Sequence, residues 1–286
     1  MSRALHVATF ALAAASLLAI APAHADEPVA AAAAAAATDY EAQLAAKAPT
    51  IVSLKYLAVY DGSTEFPATC RGFVADPSGL VLLSNENFGD GQIKIRDVKV
   101  LLGNDPKEWS AVIVARDKTL DLAYVQILDL EGKTLPAIDL EQGRDPKIGD
   151  NLFGVTRNGR GFDYAPAIRR LYVTSRIESP RLFWDFNGEF QESGLPVFDA
   201  GGRPVAVIVN QQSAEGADEG GGSHQDVFLL PLSAVTKSLA QAKKRVVDVV
   251  ARAKAEPREP ATPEAPKPPA PDAPKPPEPA VPGAGK

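Results

Sequence analysis

A serine hydroxyl attacks a carbonyl carbon efficiently only with three kinds of help. A base of near-neutral pKa must touch it, a carboxylate must orient that base, and amide donors must receive the oxyanion that develops. This chain carries some of those parts. Ser193 lies in Gln191-Glu192-Ser193-Gly194-Leu195-Pro196, just ahead of Val197-Phe198-Asp199 and the apolar run Val205-Ala206-Val207-Ile208-Val209. Asp121 lies in Leu120-Asp121-Leu122-Ala123-Tyr124-Val125. The base is the missing part: of 3 histidines, His6 and His24 sit in the N-terminal leader and His224 ends the acidic, glycine-rich stretch Glu215 to Ser223. A histidine in such a loop reads as a surface residue. Cys70 is the single cysteine, so no internal disulfide forms, and a lone cysteine reads as a small buried hydrophobe. No CxxC, HExxH, Walker or GxGxxG pattern is present, and neither a metal site nor a cofactor is expected.

The elements that must position Asp121 and Ser193 read as short strands. The β-branched and aromatic runs Ile51 to Tyr60, Gly72 to Ala75, Leu80 to Leu83, Val98 to Leu102, Ser110 to Ala115 and Leu122 to Leu128 are parted by turns such as Asp76-Pro77-Ser78-Gly79. A second set follows Gly149-Asp150: Leu152 to Thr156, Ala167 to Ile177, Leu182 to Phe186, Pro204 to Val209 and Val227 to Leu230. Two groups of about six strands predict an all-β fold of two six-stranded antiparallel β-barrels. Trp109 and Trp184 read as core or strand-face aromatics. One long helix is expected over 231–254, with Val235, Leu239, Ala242 and Val246 along one face, packed on the second barrel.

Residues 1–25 carry Arg3, an apolar stretch and the ending Ala23-His24-Ala25, the pattern of a secretory signal peptide cleaved after Ala25. No later stretch is apolar enough to span a membrane, so the product is expected to be periplasmic or secreted. Residues 26–47 form an alanine-rich segment that includes eight consecutive alanines, Ala30 to Ala37. Residues 255–286 hold twelve prolines and read as a disordered, polyproline-like tail that extends up to ~90 Å at ~3.1 Å per residue. The net charge of −6 comes with scattered basic residues, which argues against nucleic acid as a partner.

Three segments together carry a family resemblance. Gly72-Phe73-Val74-Ala75-Asp76-Pro77-Ser78-Gly79-Leu80-Val81-Leu82 is similar to the strand pair before the catalytic histidine in trypsin-like serine peptidases of the HtrA/Deg type. Asp117 with Leu120-Asp121-Leu122-Ala123 resembles that family's aspartate motif, and Glu192-Ser193-Gly194-Leu195-Pro196 resembles its Asn-Ser-Gly-Gly-Pro serine motif. The resemblance covers roughly 48–254, with a first barrel over about 48–130, a second over about 148–230 and the closing helix, and it includes no PDZ domain. It implies Asp121 and Ser193 as triad members. Where the family reads Gly-x-Val-Leu-Thr-Asn-x-His, this chain reads Gly79-Leu80-Val81-Leu82-Leu83-Ser84-Asn85-Glu86-Asn87, so Glu86 stands at the histidine position, or Asn87 if the alignment shifts by one. Neither side chain is an imidazole. A carboxyl of reference pKa ~4.3 is a poor base for serine unless burial or a neighbouring charge raises it. Gln191 replaces the glycine two residues before the serine and Leu195 the second glycine after it, while Cys70 and Arg71 stand where small residues are usual.

These departures predict a catalytically inactive homologue that binds a protein or peptide of the cell envelope. The alternative is an active serine hydrolase working through an altered Glu86/Asp121/Ser193 site. A weaker third reading is a structural envelope protein whose proline-rich tail makes the contacts.

Overall fold

The computed structural model describes residues 38–89, 92–212 and 225–255. The leader, the alanine run, His224 with its loop, and the proline-rich tail lie outside the described residues. Twelve strands close into two antiparallel barrels. The first has the order β1-β2-β3-β6-β5-β4 and is built from β1 (Ile51–Tyr60), β2 (Thr64–Asp76), β3 (Leu80–Ser84), β4 (Lys94–Leu102), β5 (Glu108–Asp117) and β6 (Leu122–Ile127). The second has the order β10-β11-β12-β9-β8-β7, from β7 (Asn151–Arg157), β8 (Pro166–Ile177), β9 (Phe183–Gly188), β10 (Pro196–Phe198), β11 (Pro204–Gln212) and β12 (Gln225–Pro231). The described residues also hold two α-helices, α1 (Tyr40–Lys47) and α2 (Leu232–Ala255). Among the described residues, no helix is long and apolar enough to cross a membrane.

The expected all-β, two-barrel architecture is what forms, with the long helix starting at Leu232. Some elements go beyond the reading. Tyr40–Lys47 is helical, capped by the Asp39 carboxylate accepting from the Ala42 amide. β2 begins at Thr64 as the second arm of a hairpin with β1, and the short β10 follows Ser193 directly. The apolar face of α2, with Val235, Leu239 and Ala242 buried, meets β5 and β6 of the first barrel as well as β11 and β12 of the second. The helix therefore clamps both barrels instead of covering the second alone.

β3 and β6 are buried on both faces, which explains why Leu-Val-Leu-Leu and Leu-Ala-Tyr-Val are unbroken apolar runs rather than alternating ones. Val81, Leu83, Ala123 and Val125 fill the first barrel. Leu80, Leu82, Leu122 and Tyr124 point the other way, into a core shared with Val197, Phe198, Val207 and Leu229 of the second barrel. This shared apolar seam fixes the barrels against each other and holds the ends of β3 and β6 at the interface. Cys70 is buried in the first barrel, and burial pushes its thiol up to about 12, so it is an unreactive packing residue. Trp109 and Trp184 are likewise core residues.

A buried arginine ties the seam polar-side. Arg157, at the end of β7, donates through Nε to Ile51 O (2.8 Å), through Nη2 to Ala48 O (2.7 Å), and through Nη1 to Tyr164 O and Asn104 Oδ1 (both 3.0 Å). It links the entry of the first barrel to the turn after β7.

At the β10–β11 turn, Asp199 accepts from the Gly201 and Arg203 amides through Oδ1 and from the Arg144 and Arg203 guanidinium groups through Oδ2. Burial pushes its carboxyl up, but the Arg203 amide and the two arginines outweigh burial and hold it below the usual carboxylate range. A depressed folded-state pKa supplies stability that is present above the unfolded value of ~3.9 and lost as pH falls through the folded value. Asp199→Asn is therefore expected to flatten the acid limb of the stability curve below about pH 4, read by urea unfolding at stepped pH. A variant with an acid limb as steep as that of wild type would refute the assignment.

Candidate functional site

The register of β3 against β6 pairs Ser84 with Leu122, which brings the last residue of one strand beside the residue preceding the other. That preceding residue is Asp121, held at φ 55, a left-handed conformation that aspartate tolerates better than most side chains. Its carboxylate is almost wholly buried, at 5% exposure. The Ser84 hydroxyl donates to it at 2.9 and 2.8 Å from the two oxygens, the Glu86 amide donates to Oδ1 at 2.8 Å, and the Asn210 amide of β11 donates to Oδ2 at 2.8 Å. The Asn85 amide also bonds the Asp121 carbonyl at 3.1 Å. Burial raises the Asp121 carboxyl above its ordinary range, the hydrogen bonds from Asn210, Ser84 and Glu86 offsetting only part of that rise.

Asp121 therefore joins the first barrel to the second. Its carboxylate takes one donor from the end of β3, one from the turn that follows and one from β11. In a working triad the equivalent carboxylate turns toward the base, and here its oxygens turn toward Ser84 and two backbone amides.

Glu86 and Asn87 lie in a short 3-10 turn, Asn85–Phe88, capped by Ser84. Glu86 reaches Asp121 through its backbone amide, while its side chain is exposed. Asn87 points back, its side-chain amide donating to Ser84 O at 3.2 Å and its carbonyl accepting from the Tyr56 hydroxyl. Neither side chain is bonded to the Asp121 carboxylate. His224, the remaining histidine beyond the leader, lies outside the described residues.

The Ser193 turn is brought to the same seam by Gly194. Its amide donates to Ile208 O at 2.7 Å, and its φ of +85 is one that glycine adopts freely. Its Cα lies so close to the first barrel that an added Cβ would stand 2.1 Å from the Ser84 nitrogen. Ser193, Ser84, Glu86 and Asp121 thus share one end of the barrel interface. The next residue, Leu195, is fully buried in the shared core, which accounts for an apolar side chain where the resembled family has glycine. Gln191 is exposed and is not among the described non-glycine residues with positive φ. The backbone turn that glycine allows at that position is not made.

Sequence reading missed Glu192. Its carboxylate is gripped from both barrels, by the Arg71 guanidinium of β2 and by the Thr156 hydroxyl of β7. The unusual Arg71 and the acid beside the serine are two halves of one ion pair. Paired departures of opposite charge were the available signal. What the arrangement can do chemically follows from these bonds. Glu192 pins the segment before Ser193, Gly194 and Leu195 pin the segment after it, and Asp121 braces the floor.

No family model matches the chain, and no curated protein matches it. The fold is a pair of closed six-stranded antiparallel β-barrels. Among solved structures, the chain is similar to the crystal structure of the MamO protease domain from Magnetospirillum magneticum in its apo form, with a TM-score of 0.47 and 16% identity over 68% of this chain and 97% of that chain.

Proposed function

We propose that this chain is an exported homologue of trypsin-like serine peptidases of the HtrA/Deg type, catalytically silent, that works by binding a protein or peptide in the cell envelope. The observation that carries the reading is the engagement of Asp121. Among the described residues, every hydrogen bond to its carboxylate comes from Ser84 or a backbone amide, so the group that would orient a base instead braces the barrels. Glu86, at the position where the family has histidine, turns its side chain to solvent. Export is supported by the leader pattern of residues 1–25, and a binding role by the retention of the whole two-barrel frame around an unassisted serine.

The test is labelling of residues 26–286 with a fluorophosphonate at acid, neutral and alkaline pH, beside Ser193→Ala. Expected is no labelling above that of the variant, from a protein with a cooperative unfolding transition. Labelling that disappears in Ser193→Ala would overturn the reading and establish the altered hydrolase, whose base would then be sought at Glu86 and Asp121.

A further inference from the structure

A cavity among the described residues lies away from Ser193, which does not line it. It is a groove of 510 Å³ on the outer face of the first barrel, and the turn between β7 and β8 covers one side of it. That volume lies within the range of ligand-binding clefts, and a barrel seam is a common place for one. Side chains alternate along a strand. Leu54, Tyr56 and Cys70 point into the barrel, so Ser53, Lys55 and Leu57 of β1, with Thr69 and Arg71 of β2, present outward to the groove. Gly159, Arg160 and Tyr164 close it from the second barrel, their turn held by Arg157 through Tyr164 O. Arg71, the residue that grips Glu192 beside Ser193, also lines it.

Charge marks this groove as a binding surface. The register of β1 and β4 sets Lys55 directly opposite Lys99, an unfavourable placement of like charges in a sheet. Glu108 and Asp97 each answer one of these lysines and Glu192 answers Arg71, which leaves Arg160 as the cationic surplus of the lining among the described residues, in a chain of net charge −6. An apolar residue adjoins it: Phe162, within the covering turn, is 73% exposed.

We infer that the groove binds an extended, acidic segment of a partner protein. The carboxylates of that segment lie along Lys55, Lys99 and Arg160, and its apolar residues lie on Leu57 and Phe162. This rests on the binding reading above and locates it away from the serine. The complementarity is electrostatic, so binding weakens as salt rises.

The experiment is fluorescence anisotropy of residues 26–286 with a labelled peptide of alternating glutamate and alanine, and with the lysine-for-glutamate version. Expected are saturable binding of the acidic peptide alone, a loss of about tenfold or more in affinity in the Lys99→Glu/Arg160→Glu double variant, and none in Ser193→Ala. Arg160 is in an exposed turn, and Arg160→Glu alone supplies a variant whose fold is not at risk. Equal binding of both peptides, or unchanged affinity in the charge-reversed variants, would overturn the inference. So would binding that appears only after deletion of 257–286, which would make the chain's own tail the occupant, or a dimer that dissociates on Lys99→Glu, which would make it a second copy. A protein that neither labels with fluorophosphonate nor binds the peptide loses the groove and keeps the silent site.

Discussion

Asp121→Asn is expected to lower the stability of the protein by about 3–5 kcal/mol, with a fall in midpoint temperature on the order of 10 °C. Asparagine suits the left-handed backbone at this position, so the effect isolates the carboxylate. One of its two oxygens becomes an amide NH₂, and that group faces a donor whichever way the side chain is flipped. On one side stand the Glu86 amide and the Ser84 hydroxyl, on the other the Asn210 amide and the same hydroxyl. A buried donor is left unsatisfied and a second is pressed against it, at a seam that both barrels share. The pH dependence gives a second readout. Burial raises the folded-state pKa of Asp121, so this group's contribution to stability is greatest below the unfolded value of ~3.9 and diminishes as pH rises through the folded value. The gap between wild type and Asp121→Asn is therefore expected to widen on acidification, measured by urea unfolding at stepped pH. In a chain where Asp121 served catalysis alone, the substitution would leave stability unchanged within about 0.5 kcal/mol, and that result would sink the bracing role.

How far the sequence spoke depended on the range of each interaction. β3, β6 and β11 are legible because the runs Leu80 to Leu83, Leu122 to Val125 and Val205 to Val209 are apolar and buried on both faces. The hairpin arm Thr64 to Arg71 is not, because it is largely exposed, carries Pro67 and pairs with β1 mainly through backbone. β10 is only three residues long and begins with proline. At the site, Asp121 and Ser193 stand out through local motifs. Their partners do not, since Asn210 lies 89 residues from Asp121 and Arg71 lies 121 from Glu192. No local pattern announces that a β11 amide will take the oxygen of an acid in the first barrel. The two departures at Arg71 and Glu192 acquire meaning only when closure of both barrels brings them face to face.

Gly194→Ala is expected to cost at least as much as the loss of the Asp121 carboxylate, about 4 kcal/mol or more, and to free the Ser193 turn from the first barrel. Two penalties add. At φ +85 an alanine is strained by about 1–2 kcal/mol, and its Cβ would stand 2.1 Å from the Ser84 nitrogen, 2.7 Å from the Leu83 carbonyl carbon and 2.9 Å from the Leu83 Cα. These are backbone atoms of a strand buried on both faces, so nothing soft yields. The turn must lift, which pulls Glu192 from Arg71 and Thr156 and exposes part of the pocket that receives Leu195. Gly201→Ala is the control: its φ is not positive and the nearest contact of its Cβ is an Asp199 oxygen at 3.4 Å, so a change within about 0.5 kcal/mol is expected. Hydrogen exchange then separates a local from a global effect. In Gly194→Ala, protection is expected to fall first at the amides of Gly194 and Ile208, which carry the bonds between the serine turn and β11, ahead of β3 and β6. If both glycine variants unfolded at the same denaturant concentration as wild type, the serine turn would not be docked against Ser84. The coupling that makes Asp121, Ser193 and Glu192 one structural unit would then be lost.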